Sequence, residues 1–414
     1  MFLIYQIAIS LIVIFSPFII LFRILKKKED PVRFREKFCF FSKKKIKGKL
    51  VWFHGASVGE ILSVIPLIEK LEKNKKIKQI LITSNTLSSS KILSSLKLKK
   101  TIHQFFPIDT IHHTKKFLNY WDPKIAIFID SEIWPNMIIN IKKKNIPLVL
   151  LNARITKKSF SHWMNFDSFA KSLFKNFDIC FPSNLKSKKY LKLLGAKKIK
   201  FIGNLKFSQT KNYNNDLNNS QKVNFLSRKI WCASSTHDSE EKLCGLVHKK
   251  LKKKYKNLLT IIIPRHINRV DSILAEMKNL DLKVQLDDSK KKINTDTDIY
   301  LVNSYGKTKS FFQICKTVFL GGSLIKHGGQ NPIEAVKYGC KVLHGPNIWN
   351  FDEIYKLLGK YKSSERVNKL SELINKVDNS FKNKNNPTKI KFKIKSLGDK
   401  ILHLTIKELS FFFN

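Results

Sequence analysis

From residue 50 onward the chain repeats one pattern. A short apolar run reads as a strand buried on both faces, a turn of small residues follows, and then comes a longer stretch with apolar residues at helical spacing. This alternation confines the fold to layered α/β architectures, because parallel strands need a crossover and here the crossovers read as helices. The first set of runs is KLVWFH, IKQILIT, HQFFP, PKIAIFID, IPLVLLNA, FDICFPS and IKFIGN, with amphipathic stretches such as residues 61–71 and 136–144 between them. A polar, Asn-rich stretch, SQTKNYNNDLNNSQK, then interrupts the pattern and reads as a linker. A second set follows: KIWCASS, LLTIIIPRH, LKVQL, DIYLVNS, TVFLGGS and KVLHG. No internal sequence repeat is evident. The expected organisation is a membrane anchor over 1–25, a Rossmann-like doubly wound domain over 30–207, a linker over 208–228, a second Rossmann-like domain over 229–375 and a helical segment over 376–414. Two such domains are expected to face a cleft, with ligands beyond the carboxyl ends of the strands.

The first 25 residues differ in kind. Residues 2–22, FLIYQIAISLIVIFSPFIILF, carry no charge and are long enough to span a hydrocarbon core. Arg23, Lys26, Lys27 and Lys28 follow at once, with no basic segment before the run and no small-residue cleavage site after it, so it reads as an anchor, not a cleaved signal. A spanning helix with its basic flank inside would leave the remaining chain in the cytoplasm. Gln6 and Pro17 keep open a second arrangement, a helix lying in the membrane interface or buried against a hydrophobic face.

Net charge is +47, but only eight of the 78 basic residues are Arg. Base readers and phosphate clamps favour the planar fork of Arg, so a specific nucleic-acid role is not expected. The charge instead predicts attraction to anionic surfaces such as phospholipid headgroups. The six cysteines (Cys39, Cys180, Cys232, Cys244, Cys315 and Cys340) are scattered without zinc spacing, and they read as buried thiols in a reducing compartment. No metal and no cofactor is expected.

Several strand ends carry chemistry. In HGASVGE, Ser57 and Glu60 have the spacing of a capping box, and Glu60 also stands where a catalytic base would, at the end of a parallel strand. FIDSEIWPN places Asp130 and Glu132 at another strand end, as helix caps or as site carboxylates. GNLKF places Lys206 just before the linker. IIIPRH puts Arg265 past a strand, suited to a phosphate, a carboxylate or an interdomain salt bridge. FLGGSLIKHGGQNPIEA offers glycines for close approach of a ligand, then a helix start with Asn331 as N-cap, Pro332 at N1 and Glu334 at N3. Glu334 there is either a cap or a ribose ligand, and the absence of a Walker A pattern disfavours a P-loop enzyme.

Taken in order and spacing, HGASVGE, DSEIWPN, LNARI, GNLKF, ASSTHDSEE, PRH and GGSLIKHGGQNPIEA resemble the Kdo (3-deoxy-D-manno-octulosonic acid) transferases of lipopolysaccharide synthesis. The likeness runs over nearly the whole chain and is weakest in the linker and after residue 360. It implies a GT-B fold and an inverting, metal-independent transfer of Kdo from CMP-Kdo to a lipid A precursor, lipid IVA, at the inner membrane. It further implies Glu60 as general base and Asp130 and Lys206 as groups stabilising the transition state. Pro264, Arg265, Tyr305, Gly306, Lys307, Asn331, Pro332, Ile333 and Glu334 match the CMP-binding segments. This chain departs from the family pattern at Asp130, where Glu is frequent, at Lys307, also frequently Glu, and at Gln330, frequently His. The alternatives are a GT-B transferase using another nucleotide sugar, or a membrane-bound binding protein of the same fold without turnover.

Overall fold

A computed structural model of the chain describes residues 2–209, 217, 219–288, 291–382 and 387–413. Contacts divide the chain into two compact units, residues 1–210 with 397–414, and residues 211–396. The centre of the linker expected over 208–228 lies outside the described residues.

The first unit is built on six parallel strands: β1 (Lys49–His54), β2 (Ile77–Ser84), β3 (Thr101–Phe105), β4 (Ile125–Ile129), β5 (Leu148–Ala153) and β6 (Ile179–Pro182), in the order β3-β2-β1-β4-β5-β6. That order is doubly wound, with its switch point between β1 and β4, where the crossovers leave in opposite directions and open a crevice above the strand ends. IKFIGN does not form the seventh strand expected of it. Ile199 makes a single bridge to Cys180, and the chain then turns into a short 3-10 helix, Leu205–Ser208. Gly203, at φ +127°, is packed against Ile401, and a strand cannot carry that backbone turn.

The second unit holds seven parallel strands: β7 (Lys229–Thr236), β8 (Leu258–Pro264), β9 (Val284–Leu286), β10 (Ile299–Leu301), β11 (Thr317–Leu320), β12 (Lys341–His344) and β13 (Ser364–Arg366). Their order is β13-β12-β11-β7-β8-β10-β9, with the switch point between β7 and β11. The edge strand β13 carries too short and polar a run, Ser-Glu-Arg, to be read from sequence. The two units repeat one device despite lacking a sequence repeat. Trp52 on β1 donates to Thr83 Oγ1 on β2 at 2.9 Å, and Trp231 on β7 donates to Thr260 Oγ1 on β8 at 2.7 Å. Each indole is fully buried and satisfies its one donor across the first strand pair.

The tail expected over 376–414 consists of the end of one helix, Leu370–Lys382, and a second, Pro387–Ser410. From residue 397 this second helix belongs to the first unit. Gly398 lets it lie on the chain just before the linker, since a Cβ there would stand 2.3 Å from the Phe207 carbonyl oxygen. At the other end, the helix Phe2–Leu25 touches the first unit along one narrow stripe that includes Ile9, Ser16 and Ile20. Pro17 cannot donate to the carbonyl one turn back, and the Ser16 hydroxyl donates to that Val13 oxygen instead, at 2.6 Å. All six cysteines are free and buried.

Candidate active site

In the first unit the candidate residues gather at the switch point. β1 ends at His54, and the Gly55-Ala56-Ser57 turn leads into the helix Val58–Glu72. Gly55 is needed there, because a Cβ would press on Glu60, Ile61 and Ile129 at 3.2 Å. The capping box is complete: Ser57 Oγ accepts from the Glu60 amide, and Glu60 Oε2 accepts from the amides of Ala56 at 2.7 Å and Ser57 at 3.4 Å. Ser57 Oγ also donates to Glu60 Oε1 at 2.7 Å. The carboxylate is therefore held in one orientation. Burial pushes its pKa up to about 7, helped by Glu132 and Asp130 and opposed by the Ser57 and Ala56 hydrogen bonds. Capping and an up-shifted carboxyl thus coexist in one side chain.

Across the switch point, β4 ends at Ile129 and Asp130 takes the left-handed conformation, φ +63°. Its amide donates to Leu151 O, and its carbonyl accepts from the Arg154 amide, so the bend is tied to β5. The bend carries the carboxylate into the site, 3.8 Å from Lys206 Nζ. Burial raises the Asp130 pKa and outweighs the pull of Lys206 and Arg154. Lys206 is itself placed by β5. Asn152 sits at a bulge with φ +54°, and its carboxamide oxygen accepts the Leu205 amide at 3.0 Å.

Beneath these groups, His54 Nε2 stands 3.0 Å from Glu132 Oε2, which also accepts from Trp134 Nε1 at 2.9 Å. Burial favours the neutral form of Glu132, yet the His54 and Trp134 hydrogen bonds win and hold its pKa below the ordinary glutamate value. The His54 ring stacks on Phe106 at 3.8 Å between centroids. Sequence reasoning missed His54 and Asn152, since nothing in a linear pattern pairs His54 with a carboxylate 78 positions away or Asn152 with Leu205.

In the second unit, the donor-side candidates all follow strand carboxyl ends. Pro264 ends β8 and Arg265 follows it, Tyr305, Gly306 and Lys307 follow β10, and Asn331, Pro332, Ile333 and Glu334 follow β11. Arg265 and Tyr305 are exposed. Lys307 donates to Asp287 Oδ2 at 2.5 Å, and the other Asp287 oxygen accepts the Tyr300 hydroxyl. The helix start differs from expectation by one position. Pro332 is the N-cap of the helix Ile333–Lys337, Asn331 Oδ1 accepts the Ile333 amide, and Glu334 pairs with Lys309 at 3.3 Å.

The Gly-rich loop after β11 is not bare backbone awaiting a ligand. Glu240, fully buried, accepts from the amides of Gly322, Ser323 and Leu324 at 2.6, 3.1 and 3.0 Å, and from that of His237 at 3.0 Å. One carboxylate thereby joins the β7 and β11 loops across the switch point. Beside it the rings of His237, His266 and His327 cluster, with centroids 5.8 and 4.2 Å from His237. Burial, then His327, His266, Arg265 and Arg269, lower the His237 pKa to about 4, so this imidazole is neutral at pH 7. Among the described residues no group of three His, Cys, Asp or Glu is arranged to hold a metal ion.

Two doubly wound parallel sheets, each with its polar groups at the switch point, define the GT-B class. A putative UDP-N-acetylglucosamine 2-epimerase from Listeria monocytogenes has this fold, at 13% identity and a TM-score of 0.61 over 88% of this chain and 97% of that one. Residues 32–209 match the model of the family described as 3-Deoxy-D-manno-octulosonic-acid transferase (kdotransferase). The 3-deoxy-D-manno-octulosonic acid transferase of Rickettsia bellii is 33% identical over 87% of this chain and 86% of its own. That of Rickettsia typhi is 35% identical over 83% and 74%. The chain belongs to the 3-deoxy-D-manno-octulosonic acid transferase family, and it is a glycosyltransferase.

Proposed function

We propose that this chain moves Kdo from CMP-Kdo to a lipid A precursor, lipid IVA, with inversion at the anomeric carbon. The observation that carries the assignment of the base is the Glu60 carboxyl: oriented by its own capping box, half-buried, and with a pKa of about 7 at a sheet switch point. A general base works best when its pKa lies near the operating pH, because it is then both available and basic enough. Glu60 takes the proton from the acceptor hydroxyl as that oxygen bonds to the anomeric carbon. The bond from that carbon to the CMP phosphate oxygen breaks on the opposite face, and its electron pair leaves with CMP. The Asp130 carboxylate supports positive charge developing on the sugar ring, and Lys206 supports negative charge.

On the second unit, Arg265 supplies a guanidinium for the leaving monophosphate. Pro264, Tyr305, Gly306, Asn331, Pro332, Ile333 and Glu334 line the CMP segments. Lys307 contributes its place in the turn after β10, while Asp287 holds its ammonium. The acceptor is phosphorylated and acylated, so a membrane-bound enzyme with a basic, phospholipid-facing surface suits it, with both units on the cytoplasmic side.

The test is acceptor mass shift and CMP release with CMP-Kdo and a tetraacyl lipid A precursor, wild type beside Glu60→Gln. Glutamine also serves at the third position of a capping box, so the fold is kept while the base is lost. Transfer is expected to fall by about 10²–10⁴-fold with CMP binding unchanged. Turnover retained in Glu60→Gln would leave Glu60 as a cap alone, the role its hydrogen bonds equally satisfy. A folded wild type that binds CMP without transferring Kdo would point to the binding-protein alternative.

A further inference from the structure

The N-terminal helix Phe2–Leu25 is long and apolar enough to cross a membrane, yet it is fastened to the first unit at both ends. In its first turns the Tyr5 hydroxyl donates to Asp109 Oδ2 at 2.6 Å, and Phe2 packs on Phe169 with ring centroids 6.1 Å apart. Asp109 belongs firmly to that unit, because its carboxylate accepts the amides of Asn136 and Met137 at 3.0 and 2.8 Å. At the other end Arg23 pairs with Glu29 at 3.0 Å, and Glu29 pairs with Lys37. Between them Ile9, Ser16 and Ile20 are buried at helical spacing on the same stripe. Tyr5 and Arg23 are separated by about 27 Å along the helix axis, nearly the thickness of the hydrocarbon core. A helix crossing the bilayer from Arg23 would carry Tyr5 to the far headgroups, where Asp109 of the same unit cannot follow.

We infer that this helix does not cross the membrane but lies in one leaflet, its inner stripe docked on the first unit and its outer face in the lipid. The occupant of the outer face is an anionic bilayer. Ile4, Ile7, Leu11, Phe18, Phe22 and Leu25 form that face, and each is about half exposed or more. Apolar surface on this scale marks a membrane or protein contact. Charge selects the membrane, since Lys26, Lys27 and Lys28 follow directly, on a chain of net charge +47. The apolar surface also extends past the helix: Ile111 and Phe166, near in sequence to its contacts Asp109 and Phe169, are exposed. The inference rests on the membrane-bound reading above and replaces the crossing helix with a one-sided attachment.

The experiment places single nitroxide labels at Ile4→Cys, Leu11→Cys, Phe18→Cys and Leu25→Cys of the full chain, whose own cysteines are buried. Label depth is read by collision with oxygen and with a nickel chelate, in vesicles of equal parts phosphatidylcholine and phosphatidylglycerol. An in-plane helix gives four similar depths, within about 10 Å of the headgroup boundary. An upright helix gives a profile deepest at the middle labels, with the end labels about 30 Å apart, and overturns the inference while leaving a membrane-bound transferase intact. Labels that stay in water overturn the inference together with the membrane-bound reading, while the transfer assay above stands apart from both. Tyr5→Phe is expected to increase label mobility at residue 4, and unchanged mobility there would overturn the docking.

Discussion

Glu60 joins a local structural role, the helix cap, to the raised pKa that the proposed base requires. Its hydrogen bonds are those of a helix cap, but its burial, helped by the nearby Glu132 and Asp130 carboxylates, lifts its pKa to about 7. A raised pKa means the base form is lost as pH falls through that value, so kcat/KM should drop on the acid side of about pH 7. Removing the Asp130 charge takes away one repulsion, so Asp130→Asn should move this acid limb to lower pH even as the rate declines. A wild-type limb in the ordinary carboxylate range, measured over a full pH–rate profile, would remove Glu60 from the role of base. The S-x-x-E spacing was readable from the sequence; the pKa was not, because the burial of the carboxyl and the approach of Glu132 and Asp130, some 70 residues away, arise only on folding.

Among elements, two loops depend on groups distant from them in sequence. The buried Glu240 carboxylate takes four backbone amides. Glu240→Gln turns a –NH₂ toward some of these donors and leaves them unpaired, at about 1–3 kcal/mol each. Its melting temperature should fall by several degrees, and CMP affinity should fall with it. Gly398 bears on the Lys206 turn through the Phe207 backbone. Gly398→Ala should therefore lower transfer while CMP binding to the second unit stays unchanged; equal loss of both in a calorimetric titration and a transfer assay would point to general unfolding. Neither dependence could be read from the sequence. The strands around these loops could be, since each is an apolar run with a clear turn, whereas IKFIGN has the apolar pattern but turns at Gly203 into a short 3-10 helix.

For the molecule as a whole, attachment to the bilayer is expected to combine an apolar helix face with basic residues beside it. Each Lys near an anionic surface is worth about 1 kcal/mol, and the attraction fades within a Debye length. Replacing Lys26, Lys27 and Lys28 by Gln should weaken binding to phosphatidylglycerol vesicles in a flotation assay by about 100-fold at low salt. The difference should shrink as salt is added. Binding indifferent to both the substitutions and salt would leave the apolar face as the whole of the attachment.

The sequence by itself determined the α/β class, the division of the pattern by a polar stretch, the apolar N-terminal helix and the family, because these are written in runs of neighbouring residues and in motifs of fixed spacing. Tertiary structure alone decided that His54 meets Glu132, that Asn152 holds the Lys206 turn, that Glu240 occupies the amides of the glycine loop, and that the first helix is fastened at both ends. Each of these joins residues distant in the chain. A carboxylate or an amide carries no mark of its partner until folding brings the two within hydrogen-bonding distance.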